Sequence, residues 1–130
     1  MLPLEYEDFD FVLKKYFNVT DNIIIKHNWQ KTLIPTKNIM FAEKQGHNII
    51  IHTPTQKFST RMTFRKFAEN FKKKENFVHC IRGTIVNLNY VSLINSQNFV
   101  MKNNYNIPIR RQDRKKFKDM FFKFQINKNL

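Results

Sequence analysis

Apolar and polar positions change period several times along the chain. Over residues 5–17, Phe9, Val12, Leu13, Tyr16 and Phe17 recur at i, i+3, i+4, i+7 and i+8, one stripe of a helix. Asn18–Asn22 breaks that pattern. Ile23-Ile24-Ile25 and Thr32-Leu33-Ile34 are short β-branched runs, joined by a polar turn, Lys26–Lys31, that contains Trp29. Ile39–Glu43 and Asn48–Thr53 predict two further strands separated by Lys44-Gln45-Gly46-His47, and Lys57–Thr60 predicts another after the turn at Pro54. Helical spacing returns over residues 63–74, with Phe64, Phe67, Ala68 and Phe71 on one face and Thr63 as the N-cap. Lys72, Lys73 and Lys74 close that segment, where a helix dipole favours cations. Residues 77–110 predict strands again, with turns near Gly83, Asn95–Asn98 and Lys102–Asn106. Residues 111–124 predict a final helix that gathers Phe117, Met120, Phe121 and Phe124.

Short strands at short spacing, without a βαβ alternation, predict a mainly β fold of antiparallel sheets with helices at its edges. A chain of 130 residues that is 42% hydrophobic and holds 14 Phe can fill one sizeable core. The charge changes sign near residue 20. Residues 1–20 hold Glu5, Glu7, Asp8 and Asp10 against Lys14 and Lys15, a net of −2, while the whole chain is +13, so the remainder carries +15. Residues 1–20 therefore read as an N-terminal helical extension or linker, and 21–130 as the domain.

A field of +15 attracts polyanions and speeds their encounter, which points to DNA, RNA or an acidic membrane face. Residues 110–123 alone hold seven cations and two anions. Enzyme readings find little support. The domain has six carboxylates, at Asp21, Glu43, Glu69, Glu75, Asp113 and Asp119, and two glycines, too few for a phosphate cradle. His47 with His52, and His79 with Cys80, are spaced so that strand parity sends them to opposite faces, which disfavours a metal site. No cofactor is expected. Cys80 is the only cysteine, so a disulfide framework is excluded and a reducing cytoplasm is the simplest home. No apolar run approaches a membrane span.

Arg82-Gly83-Thr84 sits between two apolar stretches, Phe77–Ile81 and Ile85–Val91. As a turn, it needs only Gly83 at positive φ and leaves Arg82 pointing at water. The surrounding residues also carry a resemblance. Phe77, Arg82, Val86 and Asn87 stand in the frame F-x-x-x-H-R-S-x-x-V-N, with Ile81 and Gly83 in place of the His and Ser. Ile107-Pro108-Ile109-Arg110-Arg111 fits I-P-[VI]-x-R before a basic helix, and Ile39-Met40-Phe41-Ala42-Glu43 fits I-x-[YF]-[IF]-E before a polar loop. In this order and spacing, the segment from about Ile23 to Phe124 resembles the LytTR-type DNA-binding domain of bacterial response regulators.

That resemblance implies an elongated sandwich of three short β-sheets whose loops enter successive major grooves of double-stranded DNA. Carried onto this chain, it implies groove reading by His47, Arg82 and Arg111. Lys44, Gln45, Asn48 and Thr84 would flank them, and Arg110, Arg114 and Lys115 would face phosphates. It further implies a transcription regulator, pairing of two protomers on repeated sites, and a receiver domain or other signalling partner upstream. Residues 2–17 look like the end of a receiver domain, but Leu2 stands where a receiver has its lysine, and an ordinary N-terminal helix packing on the sandwich is the simpler expectation. The alternative is a β-domain that binds single-stranded RNA by stacking, motivated by 15% aromatics among many cations. The amphipathic C-terminal helix raises a third reading, a protein- or membrane-docking module.

Overall fold

The computed structural model describes residues 21–129, so the helix expected over residues 5–17 lies outside the described residues. The described chain forms β1 (Asn22–His27), β2 (Gln30–Pro35), β3 (Phe41–Gln45), β4 (Asn48–His52) and β5 (Lys57–Arg61). Next come α1 (Phe64–Ala68), β6 (Phe77–Ile81), β7 (Thr84–Asn87), β8 (Val91–Ile94), β9 (Asn98–Met101), β10 (Asn106–Pro108) and α2 (Arg114–Lys128). The strands make three antiparallel sheets: β1-β2, a central β5-β4-β3-β7-β6, and β10-β9-β8. The mainly β reading with flanking helices therefore holds. None of the described helices is long and apolar enough to cross a membrane.

The central sheet is apolar on both faces, because strand parity splits its residues between two cores. Phe41 pairs with Val86 and Ala42 with Ile85, so neighbouring pairs point to opposite sides. On one side Phe41, Val78, Cys80 and Val86 pack with Phe99, Met101 and Ile107 of the three-stranded sheet and with Phe117 and Phe121 of α2. On the other, Ala42, Ile49, Ile51 and Ile85 pack under Ile23, Ile25 and Ile34 of the β1–β2 hairpin and Phe67 and Phe71 beside α1. Both flanking layers bury sheet surface that would otherwise face water, which is the main favourable term for so short a set of strands.

Two elements depart from the periodicity reading. The segment expected as a helix over 63–74 is α-helical only to Ala68 and continues as a 3-10 turn over Glu69–Phe71. Thr63 does cap it, accepting a hydrogen bond from Lys66 N at 3.2 Å. Asn70 donates from Nδ2 to Phe67 O at 3.0 Å and so competes for a carbonyl that a longer helix would use. The polar stretch Lys26–Lys31 shrinks to a two-residue turn, Asn28-Trp29, with φ of 49° and 65°, the pattern of a type I′ hairpin.

Asn87 joins the layers. It is fully buried, donates to Ile39 O at 2.9 Å, and accepts from Asn76 Nδ2 and Asn89 N at 3.0 Å each. Asn87→Ala orphans all three partners. A loss of about 2–3 kcal/mol is expected from urea unfolding of the variant. A change below about 0.5 kcal/mol would show that water replaces the side chain.

Candidate nucleic-acid interface

Register brings the turns to one end of the central sheet. The β3–β4 hairpin closes with Gln45 opposite Asn48, leaving Gly46-His47 as its tip. The β6–β7 hairpin closes with Ile81 opposite Thr84, leaving Arg82-Gly83. Thr84 lies opposite Glu43, so the two tips share an end. Arg61, the last residue of β5, lies opposite Asn48 and joins them. Both tips use glycine where the chain turns left-handed, with φ of 61° at Gly46 and 74° at Gly83.

Backbone hydrogen bonds tie the loops together. Lys44 N donates to Gly83 O at 2.8 Å and joins the first loop to the second. In β6 the register shifts between Val78 and Ile81, so two residues of β6 face one of β7, a bulge. Within that bulge Cys80 O accepts from Arg110 N at 2.9 Å, which fastens the third loop beside the second. Ile109 N donates to Gln97 O at 2.9 Å and holds the same loop to the three-stranded sheet. With strands about 4.8 Å apart, the first and second tips are separated by about 10 Å and the outer loops by about 15–20 Å.

Side chains along this row are mostly exposed. Lys44, Gln45, His47, Asn48, Arg82, Arg110, Arg111 and Lys115 are exposed, whereas Thr84 and Arg114 are half-buried. Arg114 donates from Nε to Ile109 O at 3.3 Å and braces the third loop from within. Gln45 donates to Glu43 at 3.1 Å, which draws its amide back from the tip. Arg110 Nη1 lies 3.7 Å from Asp113, whose carboxylate sits at the start of α2. The expected helix over 111–124 thus opens with a 3-10 turn, Arg111–Asp113, before the α-helix proper. Arg61 was not visible as part of this row in the sequence, because only the β4–β5 register places it there. It lines an open groove of about 400 Å³ with Lys44, Gly46, His47, Met62, Thr63 and Phe64.

The row has little negative charge of its own. Glu43 accepts from Gln45 and bonds His52 Nε2 at 3.1 Å. His52 stacks on Phe41 with centroids 4.0 Å apart and is buried, and burial pulls its pKa below the ordinary value despite Glu43. Partial desolvation beside Phe64, which its ring meets edge-on, also lowers His79, although that residue stays exposed on β6. Burial pushes the Cys80 thiol up to about 12, so it stays protonated and unreactive at neutral pH. Among the described residues no group of three or more His, Cys, Asp or Glu could hold a metal ion.

The aromatic residues do not form a stacking platform. Phe41, Phe67, Phe71, Phe77, Phe99, Phe117 and Phe121 are buried, and the large exposed aromatics among the described residues are Trp29, Tyr105 and Phe122. On α2 the buried stripe of Phe117 and Phe121 packs on the sheet, leaving Phe122 and Ile126 exposed.

Comparison with known proteins places this geometry. The family model described as the LytTr DNA-binding domain matches residues 30–122. Among solved structures, the chain is similar to the LytTr DNA-binding domain of a Bacillus cereus protein described as a methyl-accepting/DNA response regulator. The identity is 19%, the TM-score 0.64, and the match covers 77% of this chain and 95% of that one, a likeness of fold. No curated protein matches the chain.

The histidines predict a pH dependence. An unfolded histidine takes up its proton near pH 6.5, while folded His52 and His79 resist until lower pH. The unfolded state therefore binds more protons in that window, and the folded state loses stability as pH falls below about 6.5. Thermal melts from pH 7.5 to 5 should show a falling midpoint, and His52→Gln should flatten the slope. An unchanged slope would exclude His52 as a contributor.

Proposed function

The chain belongs to the LytTr DNA-binding domain family, and on that premise we propose that it is a sequence-specific regulator of transcription that reads double-stranded DNA through loops. The observation that carries the reading is the single row of exposed cations built on three loops tied backbone to backbone.

Magnitudes decide how such a row meets a duplex. Successive major grooves repeat about every 34 Å and each is about 12 Å wide, so their facing edges are about 22 Å apart. Outer loops about 15–20 Å apart, with side chains reaching outward, match that gap. His47 and Arg111 then enter consecutive major grooves. Arg82 lies between them over the minor groove, whose negative potential draws arginine. An arginine fork at Arg111 can bond guanine O6 and N7 together. Lys44, Arg110 and Lys115 meet phosphates, which position the protein without reading sequence. The Arg110–Asp113 contact lessens the charge available from Arg110. Asn48 and Thr84 sit at the strand ends beside the tips, and the cytoplasm is the compartment where such a domain meets DNA. Two protomers bind repeated sites, and a receiver domain or another signalling chain supplies the input.

Single-strand stacking is the weaker reading, because the phenylalanines are spent on the cores.

Selection of bound duplexes from a random pool tests the proposal and yields the site. With about six to eight phosphates neutralised, log K should fall against log salt with a slope of roughly −5 to −7. Arg111→Ala should lose about 1–3 kcal/mol of preference for the selected site over random duplex, and Arg82→Ala should lose a smaller preference, confined to the A·T-rich positions between the two major grooves. Lys115→Ala should weaken both alike and reduce the slope by about 1. Equal losses on both duplexes for Arg82→Ala would count against readout there.

A further inference from the structure

The end of β5 places a cation that none of the three loops supplies. β5 is an edge strand of the central sheet, beside β4. It ends on Arg61, opposite Asn48 and so at the loop end. Thr60, one residue earlier, pairs with Ile49 and is buried. Strand parity therefore turns Arg61 to the other face, which it shares with Gln45 and Asn48, the pair that closes the His47 tip. Arg61 is exposed there and lines one groove with Lys44, Gly46 and His47. Glu43, on the same face two strands away, is bonded by Gln45 and His52.

Distances set what Arg61 can reach. With strands about 4.8 Å apart, β5 lies about 7 Å to the outer side of the β3–β4 hairpin axis. A major groove is about 12 Å wide, so a side chain at its centre stands about 6 Å from either phosphate wall. With His47 in a groove, the end of β5 stands over the outer wall, on the side away from Arg82. An arginine fork at that place matches two phosphate oxygens at once.

We propose that Arg61 grips a phosphate on the outer wall of the major groove that His47 enters. The contact comes from a fourth element, the end of β5, outside the three loops. The inference rests on the duplex-binding reading above and adds a direction to it. The footprint extends past His47, away from Arg82 and Arg111. Arg61 contributes affinity and register there and reads no base.

The test uses the whole chain and a duplex selected by it. Arg61→Gln keeps a long polar side chain at an exposed strand end, so it should melt with wild type. It should bind selected and random duplex alike about fivefold more weakly near 0.15 M salt, and make the salt slope shallower by about 0.9. Single methylphosphonate substitutions, each removing one backbone charge, then locate the contact. Wild type should lose affinity at one phosphate flanking the base pairs at which His47→Ala loses preference, on the side away from those at which Arg111→Ala does. Arg61→Gln should lose nothing further at that phosphate and lose as wild type does at every other. This coupling to one phosphate is blind to a general loss of fold. A variant that loses as much as wild type at every phosphate, or whose coupled phosphate lies between the two sets of base pairs, overturns the contact and leaves duplex binding standing. A loss confined to particular base pairs makes Arg61 a reader of sequence and overturns the backbone role. A wild-type chain that binds no duplex overturns both readings.

Discussion

Two backbone hydrogen bonds, Lys44 N to Gly83 O and Arg110 N to Cys80 O, hold the candidate interface together. Each joins a loop to its neighbour through main-chain atoms, so the relative positions of His47, Arg82 and Arg111 do not depend on flexible side chains. The second bond lies at the bulge in β6, where two residues face one of β7. A regular β6–β7 ladder would present a different edge to the third loop. A bulge beside a site re-aims the chain that carries it, and here it lets a loop from beyond the three-stranded sheet lie next to a hairpin of the central one.

That arrangement depends in turn on a central sheet buried on both faces. The β1–β2 hairpin with α1 covers one side, and the three-stranded sheet with α2 covers the other. The ends of the strands are what remain for a partner. At the loop end the polar residues are largely cations, while the nearby carboxylate Glu43 is engaged by His52 and Gln45. The scaffold is thus neutralised inward and positive outward, the distribution that favours a polyanion. Cys80 illustrates the division: its thiol is locked in the core, while its carbonyl positions the third loop.

Much of this could be read from residue spacing. The β-branched runs, the glycines at Gly46 and Gly83 and the phenylalanine stripes of the C-terminal helix follow short-range rules, and the strands appear close to where those rules put them. The resemblance in the Phe77–Asn87, Ile107–Arg111 and Ile39–Glu43 segments supplied the loops. What stayed hidden depends on register and on main-chain geometry. Arg61 enters the row only because it lies opposite Asn48, and the bulge leaves no mark in residue type. Arg114, expected from the resemblance to face phosphates, turns its Nε inward to Ile109 O. The helix after Thr63 ends early because Asn70 offers its carbonyl neighbour another partner, a local competition that apolar periodicity does not register.

The central claim is that one end of the sheet forms a single contact surface. Amide NMR spectra of the chain, recorded while a duplex selected by it is added, test this most directly. Perturbations should gather at residues 44–48, 61, 82–84 and 110–111, and leave Thr53–Gln56 and Lys72–Asn76 at the opposite end unmoved. Perturbations centred on that opposite end, or on only one of the three loops, would contradict the account.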